Sequence, residues 1–410
     1  MKCRHCKTEL EHVFVDLSFS PVSNAMLNAE NLSEPELYFP LKIFICHNCW
    51  LVQVDEMQKA DKIFDEEYTY FSSFSTSWLE HAKKYTEKMI DRFGYDQNSQ
   101  VIEIASNDGY LLQYFKESGV PVLGVDPTAN TAAEAEKKGI KTIVDFFGSK
   151  LAREKLADKG IGADLLLGNN VLAHVPDIND FVKGMKIALN PGGVITMEFP
   201  HLLKLVAENQ FDTIYHEHFS YLSFYAVKNI FKSQGLEMFD VEELSTHGGS
   251  LRIYAKHEDD STKPIGPAVK ALLQKEVEAG VNTLEYYSGF QQKVDEIKYN
   301  ALEYLINRKR AGNKIIGYGA AAKGNTLLNY LGIKGTDLIT FVVDASPYKQ
   351  NKFLPGSHIP VFGKDKISEY KPDIVIILPW NLKNEISSQL NYIREWGGRF
   401  VIFIPENEEF

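Results

Sequence analysis

No apolar stretch of roughly 18 residues occurs anywhere in this 410-residue chain, which excludes a transmembrane helix on hydropathy. The longest apolar segments, such as Asp373-Ile-Val-Ile-Ile-Leu-Pro379, are short enough to be buried parallel strands. Long basic runs are also missing. With 44 Lys and Arg against 55 Asp and Glu, the formal charge is -11, and a nucleic-acid partner is not expected. Low-complexity segments and internal repeats are absent, and no secretory apolar segment follows Met1. A soluble, cytoplasmic α/β protein of two or three domains is the resulting expectation. Its oligomeric state is not legible.

Cysteine is scarce. The four present fall into two pairs, Cys3-Arg-His-Cys6 and Cys46-His-Asn-Cys49. Two such knuckles can close a tetrahedral four-sulfur shell around one zinc ion. The long intervening segment, residues 7–45, implies a small domain pinned by metal and not a minimal finger. A disulfide framework competes with that reading, though a reducing compartment disfavours it; four incidental thiols are the plainer alternative. A closed shell offers no open position to a substrate, so the metal holds structure and the chemistry lies elsewhere.

Residues 1–70 form the zinc module, with strand-like runs Leu41–Cys46 and Leu51–Val54 beside the second knuckle. An aromatic, hydroxyl-rich stretch from Tyr68 to Trp78 then leads into a helical pattern through His81, Tyr85 and Ile90. A second domain, 71–262, alternates strand and helix signals. Its strands are expected at Val101–Ala105, Val122–Asp126, Lys141–Asp145, Ala163–Gly168 and Gly193–Glu198, the spacing of a doubly wound parallel sheet, with Leu251–Ala255 closing it. A third domain, 263–410, begins with a charged helical bridge to about residue 310. A second alternating set follows, with strands at Lys314–Tyr318, Leu338–Asp344, Asp373–Ile377 and Arg399–Phe403. The fold class is therefore α/β: a zinc-binding module, a central Rossmann-like domain and a C-terminal Rossmann-like domain.

Ligands of such sheets sit at the carboxyl ends of the strands. In the central unit, Glu103 lies in a strand that runs into the turn Ser106-Asn107-Asp108-Gly109. An acid followed by small turn formers suits a cofactor bearing a cationic amino acid, whereas a pyrophosphate prefers a glycine-rich turn, and only Gly109 is present here. Asp126 ends the next strand, where a carboxylate can accept from ribose hydroxyls. Asp145 and Phe146 end the third and offer a polar group and an aromatic wall to adenine; Asn169 and Asn170 end the fourth. Singly, each has a plainer reading: Glu103 as a strand-end charge, Asp126 before Pro127 as the start of a turn. Ordered together, with Asn190-Pro-Gly-Gly193 ahead of the next strand, they outline an S-adenosylmethionine site.

Titratable groups crowd the segment Thr213-Ile-Tyr215-His216-Glu217-His218-Phe-Ser-Tyr221. Strand alternation would place Tyr215 and Glu217 on one side and His216 and His218 on the other. Two histidines two residues apart lack the four-residue spacing of a helical zinc protease. Histidine suits proton transfer near neutral pH, and tyrosine can stabilise an oxyanion. Polar core or loop residues are the alternative reading. His174, just past a strand end, faces the same expected pocket.

In this order the motifs resemble the zinc-containing nucleotide-sugar C-methyltransferases. They are the two CxxC pairs, Glu103-Ile-Ala-Ser-Asn-Asp-Gly109, Tyr215-His-Glu-His-Phe-Ser-Tyr221 and Gly317-Tyr-Gly-Ala-Ala-Ala-Lys323-Gly-Asn325. The resemblance covers nearly the whole chain. It implies that the central domain holds S-adenosylmethionine, that the outer domains embrace a nucleotide-diphosphate 4-keto-deoxyhexose, and that the zinc is structural. By the same resemblance His218 is the base that generates an enolate, Tyr215 and Glu217 shape the sugar site, and Asn170 and His174 lie near the sugar carbonyl. His174 stays open as an alternative base. Tyr70, Ser72 and Ser73 match the segment set against the substrate, Lys323 and Asn325 the nucleotide-sugar contacts. C3 is the implied carbon; the nucleotide is open.

The last motif also meets the dinucleotide fingerprint on spacing alone, since Gly317-x-Gly-x-x-Ala322 follows a strand and Asp344 ends the next. An NAD-dependent nucleotide-sugar oxidoreductase is thus a rival reading. Lys323 beside that turn argues instead for a diphosphate, and a glycine turn with packing value only is a further alternative. A zinc-bearing binding protein without catalysis is the third class, disfavoured by the crowded titratable segment.

Overall fold

The computed structural model describes residues 1–57 and 70–410; Tyr68 and Thr69 of the aromatic stretch lie outside the described residues. The zinc module holds three antiparallel strands, β1 (His12–Ser20), β2 (Phe39–Ile45) and β3 (Val52–Val54). β1 was not legible as a strand: its pairing with β2 slips at two bulges, and its inward residues Phe14, Val15 and Leu17 do not alternate strictly. Phe14 stacks on Phe290, ring centroids 4.6 Å apart, which docks this sheet onto the C-terminal part of the chain. Burying such a ring contributes roughly 1.5–3 kcal/mol.

Helix α1 (Thr76–Phe93) opens the central domain. The Ser75 hydroxyl caps it by accepting from the Trp78 amide, and Gly94, at φ 72°, ends it in the left-handed conformation that a side chain disfavours. The sheet contains β4 (Val101–Ile104), β5 (Val122–Asp126), β6 (Thr142–Val144), β7 (Ala163–Asn169), β8 (Leu189–Pro200), β10 (Leu236–Leu244) and β11 (Ser250–His257), in the order β10-β11-β8-β7-β4-β5-β6. The two-residue β9 (Ser220–Tyr221) leaves this domain and adds to β3 of the zinc module, Val52 opposite Tyr221.

Strands β8 to β6 are parallel, as expected, but β11 runs antiparallel to β8 and β10 antiparallel to β11. The sheet is therefore mixed, and the segment 251–255 is not its edge: β10 is. A tight turn at residues 245–249 joins β10 to β11, so no crossover helix is available to make the pair parallel. The strand order reverses between β4 and β7, and ligands of such sheets bind at that crevice.

Helix α2 (Pro267–Ala279) and the longer α3 (Phe290–Arg310) bridge to the C-terminal domain. There β12 (Ile315–Tyr318), β13 (Val342–Val343), β14 (Val361–Phe362), β15 (Ile374–Ile377), β16 (Arg399–Ile402) and β17 (Glu408–Glu409) lie in the order β14-β13-β12-β15-β16-β17, parallel except for β17. Helix α4 (Ala322–Leu331) follows β12. β13 is shorter than the run 338–344 suggested. Among the described residues no helix is long and apolar enough to cross a membrane.

Candidate active site and metal centre

The four cysteine sulfurs lie within 4.8 Å of one another, with Cys3 Sγ 3.5 Å from Cys49 Sγ and Cys6 Sγ 3.5 Å from Cys46 Sγ. All four are free thiols, so the disulfide reading falls. The two knuckles are built alike. In each, the first cysteine donates its amide five residues on (Cys3 to Thr8, Cys46 to Leu51) and accepts from the amide four residues on. That donor, Lys7 or Trp50, sits at positive φ. Four converging sulfurs fit a zinc ion. Gln53 Nε2 donates to Cys3 Sγ at 3.2 Å, a bond that suits a thiolate. The first knuckle also braces the central domain: Arg4 donates to Pro176 O at 2.7 Å and Asn179 Nδ2 to His5 O at 2.9 Å, holding the loop that carries His174.

At the β4/β7 crevice, all three domains enclose a cavity of about 790 Å³. Asn107, Asp126, Asp145, Phe146 and Asn169 line its central-domain wall. The turn after β4 carries Ala105, Asn107 and Gly109 at positive φ. Asn107 works as a bracket: its amide N–H donates to Asp126 Oδ2 at 2.8 Å, while its side chain accepts from Ser72 N and donates to Tyr70 O. Tyr70 and Ser72 are thereby held at the cavity. Asp126 Oδ1 is occupied by Thr128 and Thr131, which leaves Oδ2 with one donor and spare capacity. Burial raises the pKa of Asp126.

Glu103, Ser106 and Gly109 do not line this cavity. Gly109 serves packing, since a Cβ there would lie 2.6 Å from Ile140 Cδ1. Glu103 is wholly buried behind the turn beside Tyr110; neither oxygen has a well-formed hydrogen bond, and burial pushes its pKa well up. The wall of Asp126, Asn169 and Phe146 offers a carboxylate, an amide and a ring, which suits a cofactor with a ribose and a purine, while Glu103 lies behind it.

The segment 213–219 is not a strand. His218 N donates to Tyr215 O at 2.9 Å, closing a turn that brings Tyr215 and His218 together, ring centroids 4.0 Å apart. The expected alternation fails for that reason: His216 alone turns away, toward Pro40 O. His218 Nδ1 donates to Thr213 O at 2.8 Å, so Nε2 carries the lone pair, and it accepts from Tyr215 OH at 2.8 Å. The His174 ring stands edge-on to His218 at 4.6 Å. Burial lowers His218 well below the usual histidine range and His174 to about 4, so both are neutral bases. Glu217 accepts from Asn24 Nδ2 at 2.6 Å, and burial raises its pKa to about 7.

From the C-terminal domain, Lys323 reaches the cavity over the face of Trp380, its Nζ donating to Asn381 Oδ1 at 2.8 Å. Two expected substrate contacts stand elsewhere. Asn325 is buried behind the wall, and the Ser73 hydroxyl accepts from Lys138 Nζ. Asp344 does not line the cavity; one oxygen accepts from Ala320 N at 2.7 Å and the other from Ser346 N at 2.8 Å, joining the turn after β12 to its own.

Among the lining residues that the sequence reading did not single out are Asn24, Trp78, His81 and His247. Trp78 stacks on His81 (4.9 Å) and meets the His247 ring at 5.1 Å. His81 binds Glu198 at 2.9 Å; burial alone would raise that carboxylate, but His81 and Arg252 hold it at about 2. Their signals were faint: Trp78 and His81 one turn apart on α1, and a histidine before Gly248-Gly249.

Residues 3–64 match the family model of a zinc binding domain, 78–241 a methyltransferase domain and 245–405 the C-methyltransferase C-terminal domain. Over 405 residues the chain is 33% identical to the C-methyltransferase NovU of Streptomyces niveus, covering 99% of this chain and 96% of that one. A ubiquinone biosynthesis O-methyltransferase of Rhizobium leguminosarum bv. trifolii is 29% identical over 139 residues, 30% of this chain and 54% of that protein. The PH0226 protein of Pyrococcus horikoshii OT3 superposes with a TM-score of 0.38 at 16% identity, over 46% of this chain and 95% of that one. Similarity that runs from the first cysteine pair to the last strands involves all three domains at once, and the chain belongs to the family of zinc-containing, S-adenosylmethionine-dependent C-methyltransferases.

Proposed function

We propose that this enzyme methylates the carbon beside the ketone of a nucleotide-diphosphate-linked 4-keto-deoxyhexose, at C3, through an enolate, in cytoplasmic branched-sugar synthesis. The observation that carries the reading is the buried Tyr215–His218 pair, a neutral imidazole base fixed by Thr213 in a cavity to which all three domains contribute. The resident cofactor supplies an electrophilic methyl group. The chain's own residues do the rest. His218 Nε2 removes the proton from carbon once Tyr215 OH yields that lone pair to the substrate. Burial keeps His218 neutral, and His174 beside it adds to this because the two rings cannot both carry a proton's charge at that distance. Glu217, steadied by Asn24, offers its free Oε1 to a sugar hydroxyl. Lys323 is a fixed cation for a diphosphate. In the same reading residues 1–70 are the zinc module, 71–262 the methyltransferase domain and 263–410 the nucleotide-sugar-binding domain.

The test is mass spectrometry of S-adenosylmethionine reactions with thymidine, guanosine and cytidine diphosphate 4-keto-6-deoxyhexoses in deuterated water. One added methyl on one sugar, with deuterium entering unreacted ketosugar, is the expected result. Tight cofactor binding without methylation of any sugar would remove the sugar assignment.

A further inference from the structure

We propose that His247 is a neutral hydrogen-bond donor to the ketone oxygen of the substrate, placed to receive the negative charge that proton removal by His218 creates. The inference rests on the enolate reading above and adds a residue from a different part of the fold. His247 occupies the tight turn between β10 and β11 at φ 55°, ψ 19°, the left-handed region that side chains rarely adopt. Non-glycine residues held there gather at sites where the surroundings dictate the conformation. Here they do. Gly248 and Gly249 follow at φ 89° and 116°, and a Cβ on Gly248 would come within 2.4 Å of Trp380, so the turn is wedged against the C-terminal domain.

The ring is also fixed. Asn170, itself left-handed at φ 56° at the end of β7, donates from Nδ2 to His247 Nε2 at 2.8 Å. Trp78 meets the ring edge-on. With Nε2 accepting, the proton resides on Nδ1, which makes no hydrogen bond to a described residue, on a side chain that lines the cavity. Burial, with Lys323 nearby, lowers His247 to about 4, so the ring stays neutral at working pH and is a poor base. A neutral imidazole N–H with no partner among the described residues, on a ring that lines the cavity, is a preorganised donor for developing oxyanion charge. The electron count closes: His218 Nε2 takes the proton, the C–H pair becomes the enolate double bond, the carbonyl pair moves onto oxygen beside His247 Nδ1–H, and attack on the methyl returns it.

The experiment measures deuterium entry into the ketosugar with S-adenosylhomocysteine bound, so that no methyl transfer intervenes. It compares wild type, His247→Ala and His247→Asn; asparagine tolerates the left-handed backbone and keeps an N–H at similar reach. Cofactor affinity is followed by calorimetry. Expected are exchange in wild type, a loss of about 100-fold in His247→Ala, a loss within about tenfold in His247→Asn, and unchanged cofactor affinity in all three. Undiminished exchange in His247→Ala overturns the assignment while leaving the enolate reading intact; no exchange in wild type removes both. Nitrogen-15 NMR of the resting enzyme is independent of turnover: a protonated Nδ1 on His247 is expected, and a protonated Nε2 with bare Nδ1 overturns the proposal.

Discussion

The two α/β units begin alike and end differently. Each has a strand, a tight turn, a helix, and an acid at the end of the neighbouring strand. In the central unit that acid, Asp126, lines the cavity and keeps spare capacity on Oδ2. In the C-terminal unit Asp344 stands outside the cavity, Gly319 is pressed against Pro379, and Lys349 Nζ donates to Ala320 O. One turn is open to a ligand and the other is locked by the chain. What the locked unit sends into the cavity is positive charge, Lys323 and Lys349, facing the neutral histidines and carboxylates of the open one. A fingerprint in sequence therefore marks a turn and not a ligand: whether its acid faces the cavity is set by residues far along the chain.

The largest expected effect separates chemistry from scaffolding within the open unit. His218→Ala should lower methylation by on the order of 10³-fold with cofactor affinity kept, and His174→Ala by about tenfold if it only buffers its neighbour's charge; steady-state kinetics read both. Equal losses would make the histidines joint bases. Next, Asp126→Asn should weaken S-adenosylmethionine binding by about 10- to 100-fold in calorimetry, roughly the 1.5–3 kcal/mol of a charge-assisted hydrogen bond, whereas Asp344→Asn should leave affinity unchanged and lower the melting temperature by a few degrees. The reverse pattern would break the comparison. Chelating the zinc should raise hydrogen exchange at residues 171–179, which Arg4 and Asn179 tie to the first knuckle, more than at the 317–325 turn.

The smallest effect concerns pH. Glu217 is raised from 4.5 to about 7, so the folded chain holds a proton that the unfolded chain releases, and this carboxyl's contribution to stability is lost as pH rises from 4.5 through 7. Glu217→Gln should therefore melt progressively higher than wild type over that window, by about a few degrees at pH 8. A constant difference across the window would deny the shift.

Most of the architecture was legible because buried parallel strands are short apolar runs between turns, and 122–126 was read to the residue. The metal shell was legible because CxxC spacing is local. Less legible were features made by tertiary contact. The 215–218 segment has the composition of a strand, but one backbone bond folds it into a turn. The antiparallel β10–β11 edge depends on a five-residue turn whose histidine carries a side chain in a glycine-like conformation. Trp78 and His81 read as one face of an amphipathic helix, and nothing local says that the face looks into a cavity.

The pairing of β9 with β3 bears on how far the domains can be separated. The residues that immediately follow the His218 turn finish a sheet begun more than 160 positions earlier. An excised central domain would thus lose the partner strand of β9, and with it the frame of the Tyr215–His218 turn. Replacing the first 55 residues with another module would leave Ser220 and Tyr221 without the strand they pair with, so the two stretches stand or fall together as one piece of sheet.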